Sequence, residues 1–150
     1  MQTTQEVGPT VNHLIEICRD GQIGFETAAK AIKDTSLAAE LTQYSMQRQV
    51  FAADLEVALD TLGESFREAG SVAGALHRGW MNLKAAVASN DRYAVLAECE
   101  RGEDSAVKAY REAIAGNLLP SLQTLVGSQY EQIQRVHDRV KDLRDAAHAK

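Results

Sequence analysis

The chain has 150 residues, 45% hydrophobic and 25% charged, with a formal charge of −5; this is the profile of one ordinary globular domain over residues 1–150. The acidic balance and scattered Lys and Arg exclude a nucleic-acid surface, which depends on clustered basic charge. No stretch approaches the roughly 18 apolar residues of a membrane span, and MQTTQEVGPT lacks the regions of a secretory leader, so a cytoplasmic protein with no membrane partner is expected.

Pro9 and Pro120 are the only prolines, and both stand where a helix could begin. The first apolar stripe runs Val11, Leu14, Cys18, Gln22, Phe25, Ala29, Ile32 and predicts a helix over about residues 10–33, with Thr10 as its cap. Gly21 and Gly24 weaken it. Asp34-Thr35-Ser36 is a polar break, after which Leu37, Leu41, Tyr44, Arg48, Phe51, Leu55, Leu59 and Leu62 predict a second helix ending at Gly63. Gly70, Ser71 and Gly74 punctuate the next stretch, and a short helix is expected over about residues 72–88, carrying Leu76, Trp80, Leu83 and Val87.

Ser89-Asn90-Asp91 supplies another break and cap. The following helix has its stripe at Tyr93, Leu96, Glu100, Glu103, Val107, Tyr110 and Ile114, and stops at Gly116-Asn117. The last helix carries Leu119, Leu122, Val126, Gln129, Ile133, Val136, Val140, Leu143 and Ala147. Short links make the first two and last two long helices antiparallel hairpins, whereas nearly thirty residues separate the pairs. The predicted fold is all-α: a four-helix bundle of ferritin-like connectivity, with a long crossover containing a short fifth helix.

Each long stripe is interrupted near its middle: Gln22 in the first, Arg48 in the second, Glu100 and Glu103 in the third, Gln129 in the fourth. Buried charge costs several kcal/mol, roughly, unless it is paired or binds a metal. Two readings follow. In one, Arg48 bridges Glu100 and Glu103 in a metal-free network that fixes helix register. In the other, Glu100 and Glu103 with Glu26, Glu131 or His137 hold iron or manganese. Carboxylate di-metal bundles use a Glu from two helices and Glu-x-x-His from the other two, and no Glu-x-x-His occurs in this chain. That omission favours the metal-free layer and no cofactor.

His77-Arg78-Gly79-Trp80 is the other conspicuous cluster. Its first reading is a packing anchor, with Gly79 allowing close approach of backbones and Trp80 covering the side of the bundle. The alternative is a small-molecule pocket lined by His77, Arg78 and Trp80. No arrangement of Ser, Cys and His suggests nucleophilic catalysis, so no catalytic residue is assigned; the residues favour a non-enzymatic structural or partner-binding bundle, with a di-iron or manganese protein of oxidase or storage type as the alternative. Cys18 and Cys99 lack metal or disulfide spacing and read as small apolar residues. Ile15, Ile17, Ile23, Val50 and Val57 lie off the main stripes and suggest a second apolar surface for homo-oligomerisation, the protein partner otherwise being unassigned.

Taken together, DGQIGFETAAK, GSVAGALHRGWMNLK, ECERGEDSAVKAY and the LP before the Gln-rich last helix resemble a bacterial family known as domain of unknown function 2383, a four-helix-bundle group of the ferritin-like superfamily. The resemblance implies the fold and a bacterial cytosolic setting. It implies no activity. Iron binding by other members of the superfamily requires a ligand pattern from which the second and fourth long helices of this chain depart.

Overall fold

The computed structural model describes residues 4–64, 79–116 and 118–148. Its helices are α1 (Thr4–Ala31), α2 (Thr35–Thr61), α3 (Leu83–Ala88), α4 (Arg92–Ala115) and α5 (Pro120–His148), and no strand occurs among the described residues. Local chemistry marks several boundaries. The Asp34 carboxylate accepts from Leu37 N at 3.1 Å, and Asp91 accepts from Tyr93 N at 3.0 Å, satisfying otherwise orphaned donors. Past the end of α2, Gly63 takes φ +79°, a left-handed conformation that glycine adopts without a Cβ clash.

Two apolar clusters fix the topology. One joins Val7, Leu14 and Cys18 of α1 with Leu55 and Leu59 of α2, Tyr110 of α4, and Leu122 and Val126 of α5. The other joins Phe25 and Ile32 of α1 with Leu37 and Leu41 of α2, Leu96 and Cys99 of α4, and Val136 and Val140 of α5. Residue numbers rise from the first cluster to the second along α1 and α5, and fall along α2 and α4. The order is therefore up, down, down, up, and α2 ends at the opposite end of the bundle from the start of α4. No helix of the described residues is long and apolar enough to cross a membrane.

Three expectations need correction. First, α1 begins before Thr10 and contains Pro9. The ring removes one helical hydrogen bond, but Val7 is fully buried in the first cluster, and that packing holds the additional turn. Second, the crossover helix expected over 72–88 is described as helix only at Leu83–Ala88, and Gly79–Asn82 is not helical; Leu76, like Gly70, Ser71 and Gly74, lies outside the described residues. Third, Ile15 and Ile17 are 0% and 5% exposed and do not contribute an outer surface. Because α1 is packed by both α2 and α4, it buries a wider arc than a single stripe.

The two hairpins are also joined across α2 and α5 by Arg139, whose Nε and Nη2 donate to Glu40 at 2.8 and 3.1 Å. Those hydrogen bonds hold the Glu40 carboxyl below its ordinary range, against partial burial and with help from the Tyr44 hydroxyl. A carboxyl depressed on folding contributes stability above its unfolded pKa and loses it as pH falls through the folded value. Glu40→Gln is thus expected to lose about 0.2–1 kcal/mol at neutral pH, the scale of a solvent-screened pair. The difference from wild type should shrink as pH falls below about 4, which urea unfolding across that range would measure.

Candidate functional site at the bundle midplane

Between the two apolar clusters lies a charged layer. Arg48 on α2 and Glu103 on α4 are 1% and 0% exposed. The guanidinium donates from Nη1 to Glu103 Oε1 at 2.5 Å and from Nη2 to Oε2 at 2.7 Å, a planar bidentate pairing. Its Nε donates to Gln47 Oε1 at 3.2 Å, and its carbon lies 5.4 Å from the Phe25 ring centroid, within cation–π range. Burial alone would push the guanidinium pKa down; the adjoining Glu103 charge and hydrogen bonds outweigh it and raise the value. A methyl group at Gly21 would sit 3.3 Å from Arg48 Cγ and Nη1, so α1 crosses the arginine where its own side chain is smallest.

A neutral chain of hydrogen bonds adjoins the ion pair. Tyr110 donates its hydroxyl to Gln129 Oε1 at 2.7 Å, and Gln129 Nε2 donates to the Phe51 carbonyl at 3.3 Å. With its proton committed to Gln129, the phenol oxygen accepts from the Cys18 thiol, 3.1 Å away. Burial pushes the Cys18 thiol up to about 11, although the Tyr110 hydrogen bond acts the other way. A fully buried, protonated thiol is not an available nucleophile at neutral pH. Polar atoms at this depth are costly unless satisfied, and this chain satisfies them across all four long helices.

The layer differs from the expected one in two members. Gln22 is half-buried, and its backbone carbonyl, rather than its side chain, takes part: it accepts from Ser45 Oγ at 2.7 Å. Glu100 does not meet Arg48. It lies on the seam between α4 and α5, where its Oε2 is 2.5 Å from Arg144 Nη1. The reason is angular: Cys99, Glu103, Ala106 and Tyr110 make the inward stripe, and Glu100 stands about 100° from Cys99.

The residues named for iron or manganese do not converge on the midplane. Glu26 is exposed and pairs with Lys30 at 3.3 Å, and Glu131 is exposed. Glu103 has both oxygens committed to Arg48, while Glu100 and His137 lie on the seam. An arginine never loses its proton and cannot ligate. The donor set therefore does not fit a di-metal centre in the bundle core.

Trp80 is 2% exposed and lodged between two helices. A Cβ built on Gly24 of α1 would come within 2.5 Å of the indole, and one on Gly102 of α4 would overlap it as well. Gly79 takes φ +97°, and a side chain there would meet the Arg101 carbonyl at 2.8 Å and Gly102 Cα at 2.9 Å. Trp80 also packs edge-on to Phe25 with centroids 5.3 Å apart, linking the crossover to the ring that covers Arg48. The indole is thus a wedge between the two helices. His77 and Arg78 lie outside the described residues.

Several buried polar groups had no expectation attached. Glu16, Asp20 and Glu98 are 6%, 1% and 1% exposed. Arg101 Nε donates to Glu98 Oε1 at 2.6 Å, and Glu98 Oε2 has no hydrogen-bond partner among the described residues. Helical periodicity places these carboxylates beside the stripe, but it does not show which neighbour buries them.

A search of curated proteins finds no match to the chain. A family model does match, over residues 6–116, and so spans α1 through α4 with both members of the ion pair, Trp80 and all three glycines of its socket. On that coverage the chain belongs to the family described as Domain of unknown function (DUF2383).

Proposed function

We propose that this protein is a non-catalytic, ferritin-like bundle of bacterial cytosol that acts through association, as a structural or partner-binding element, with a core balanced by its own charges and without a metal. The observation that supports this reading is the Arg48–Glu103 pair, fully buried and bidentate, at the depth where a carboxylate bundle would build its ion site. A stress-associated role is an analogy with the superfamily alone. Association with a second copy is supported by the outer face of α2, where Met46, Val50 and Val57 are 59%, 55% and 64% exposed, with Ile23 of α1 at 42%. Such a stripe on a helix already buried along its other face favours a partner.

The test is to load the purified protein with Mn2+ and Fe2+, determine its mass by light scattering, and locate ions by anomalous diffraction. A dimer or larger species with no density beside Glu103 is the expected result. An ion bound by Glu103 would overturn the metal-free core, and a strict monomer would remove the association.

A further inference from the structure

We infer that the α4–α5 seam carries a site for a single divalent transition-metal ion, formed by Glu100, Asp104 and His137. Each of these residues offers one ligand atom, and the atoms lie within 4.8 Å of one another. The site uses two helices only and no residue of the midplane pair. Glu100 and Asp104 are one turn apart on α4 and present two carboxylates to the same side. His137 reaches across from α5 and places Nε2 2.7 Å from Asp104 Oδ1.

The arrangement around the imidazole suits a metal ligand. Asp138 Oδ1 lies 3.1 Å from His137 Nδ1, which fixes the ring and leaves Nε2 as the ligating nitrogen, the role that an outer carboxylate has beside bound metals. The Arg144 guanidinium beside Glu100 supplies positive charge that a dication would replace. Glu100 Oε2 is sealed from solvent and has no hydrogen bond, although Arg144 Nη1 is 2.5 Å away. Arg144 is held outward by two hydrogen bonds to Asp145 at 2.7 and 3.1 Å, so it has a resting place when Glu100 turns to an ion.

Binding forms one metal–nitrogen and two metal–oxygen bonds, any proton on Nε2 passing to solvent; the remaining positions are left to water. One imidazole with two carboxylates selects Zn2+ and its neighbours in the first row over Mg2+ and Ca2+, which prefer an all-oxygen shell. The ion would clamp the C-terminal half of α5 to the middle of α4, independently of the midplane.

The test is a calorimetric titration of the full chain with Zn2+ at neutral pH, with the imidazole nitrogens of His137 followed by NMR. One ion per chain, a shift at His137 Nε2 and no competition from excess Mg2+ are expected. His137→Gln should abolish the binding, and Asp138→Asn should weaken it by about 10–100-fold, as loss of an orienting carboxylate does. Arg144→Gln should tighten it by removing the competing cation. Binding that persists in His137→Gln, an unshifted His137 ring at saturating Zn2+, or absence of binding by the folded wild type would each overturn the site. Circular dichroism of each variant separates loss of the ligand from loss of the fold.

Discussion

Arg48→Ala is expected to destabilise the folded state by about 3–5 kcal/mol, a large fraction of what a domain of this size has to lose. The loss comes less from the missing attraction than from what it leaves behind. Glu103 is fully buried and both its oxygens are held by Arg48; without the guanidinium its charge is enclosed and unpaired. Phe25 also loses the cation over its face. Removal of both charges should behave differently. In Arg48→Met with Glu103→Leu, the volume is roughly kept and no orphan remains, so stability is expected to return to within about 1–2 kcal/mol of wild type or to exceed it. Urea unfolding of the two single variants and the double variant measures this directly. A near-neutral Arg48→Ala would contradict the burial of the pair.

The second large effect concerns the tryptophan wedge, and its signature is a change of sign. Trp80→Ala is expected to cost about 3–5 kcal/mol, since it empties a space enclosed by two helices. Gly102→Ala alone should also destabilise, by about 1–3 kcal/mol, because the new methyl overlaps the indole and the helices must part. That strain exceeds the gain of about 1 kcal/mol that alanine normally brings to a helix interior. Once Trp80 is alanine the overlap is gone and only the helical preference remains. Gly102→Ala should therefore stabilise the Trp80→Ala background by up to about 1 kcal/mol, a coupling that a thermodynamic cycle isolates. Additive effects would mean that the glycine is not there to admit the indole.

The long helices were legible because apolar residues recur at helical spacing and the breaks carry recognisable chemistry. Asp34 and Asp91 cap the helices that follow them, and Gly63 stands in the left-handed conformation past α2. The stripe of α5 from Leu122 through Val140 is buried as its spacing predicts. Connectivity followed from loop length, since hairpins need few residues and a parallel return needs many. At the start of α1, by contrast, a proline argued locally for a boundary, and burial of Val7 overrode it. Local propensity is worth about 1–3 kcal/mol at such a position, which a buried turn can offset.

The candidate sites were legible only in part, and the reason is geometric. Arg48, Glu103 and Gln129 were identifiable as polar residues on apolar stripes, and all three are buried. Glu100 obeys the same spacing at the margin of its stripe, where 100° of rotation per residue decides between the core and the seam. Asp104 carried no sign of its nearness to His137, because 33 positions separate them and only the α4–α5 hairpin brings them together.

The amino-acid sequence by itself determined where the four long helices lie, apart from the start of α1, and in what order they run, since those features depend on periodicity, caps and loop length. Tertiary structure alone decided the partners: that Glu103 and not Glu100 meets Arg48, that Gly24 and Gly102 are the two walls of a socket for Trp80, and that Glu100, Asp104 and His137 share one seam. Spacing along a helix fixes an angle about its axis, but it does not say which neighbour occupies that direction; only packing of one helix against the next supplies the answer.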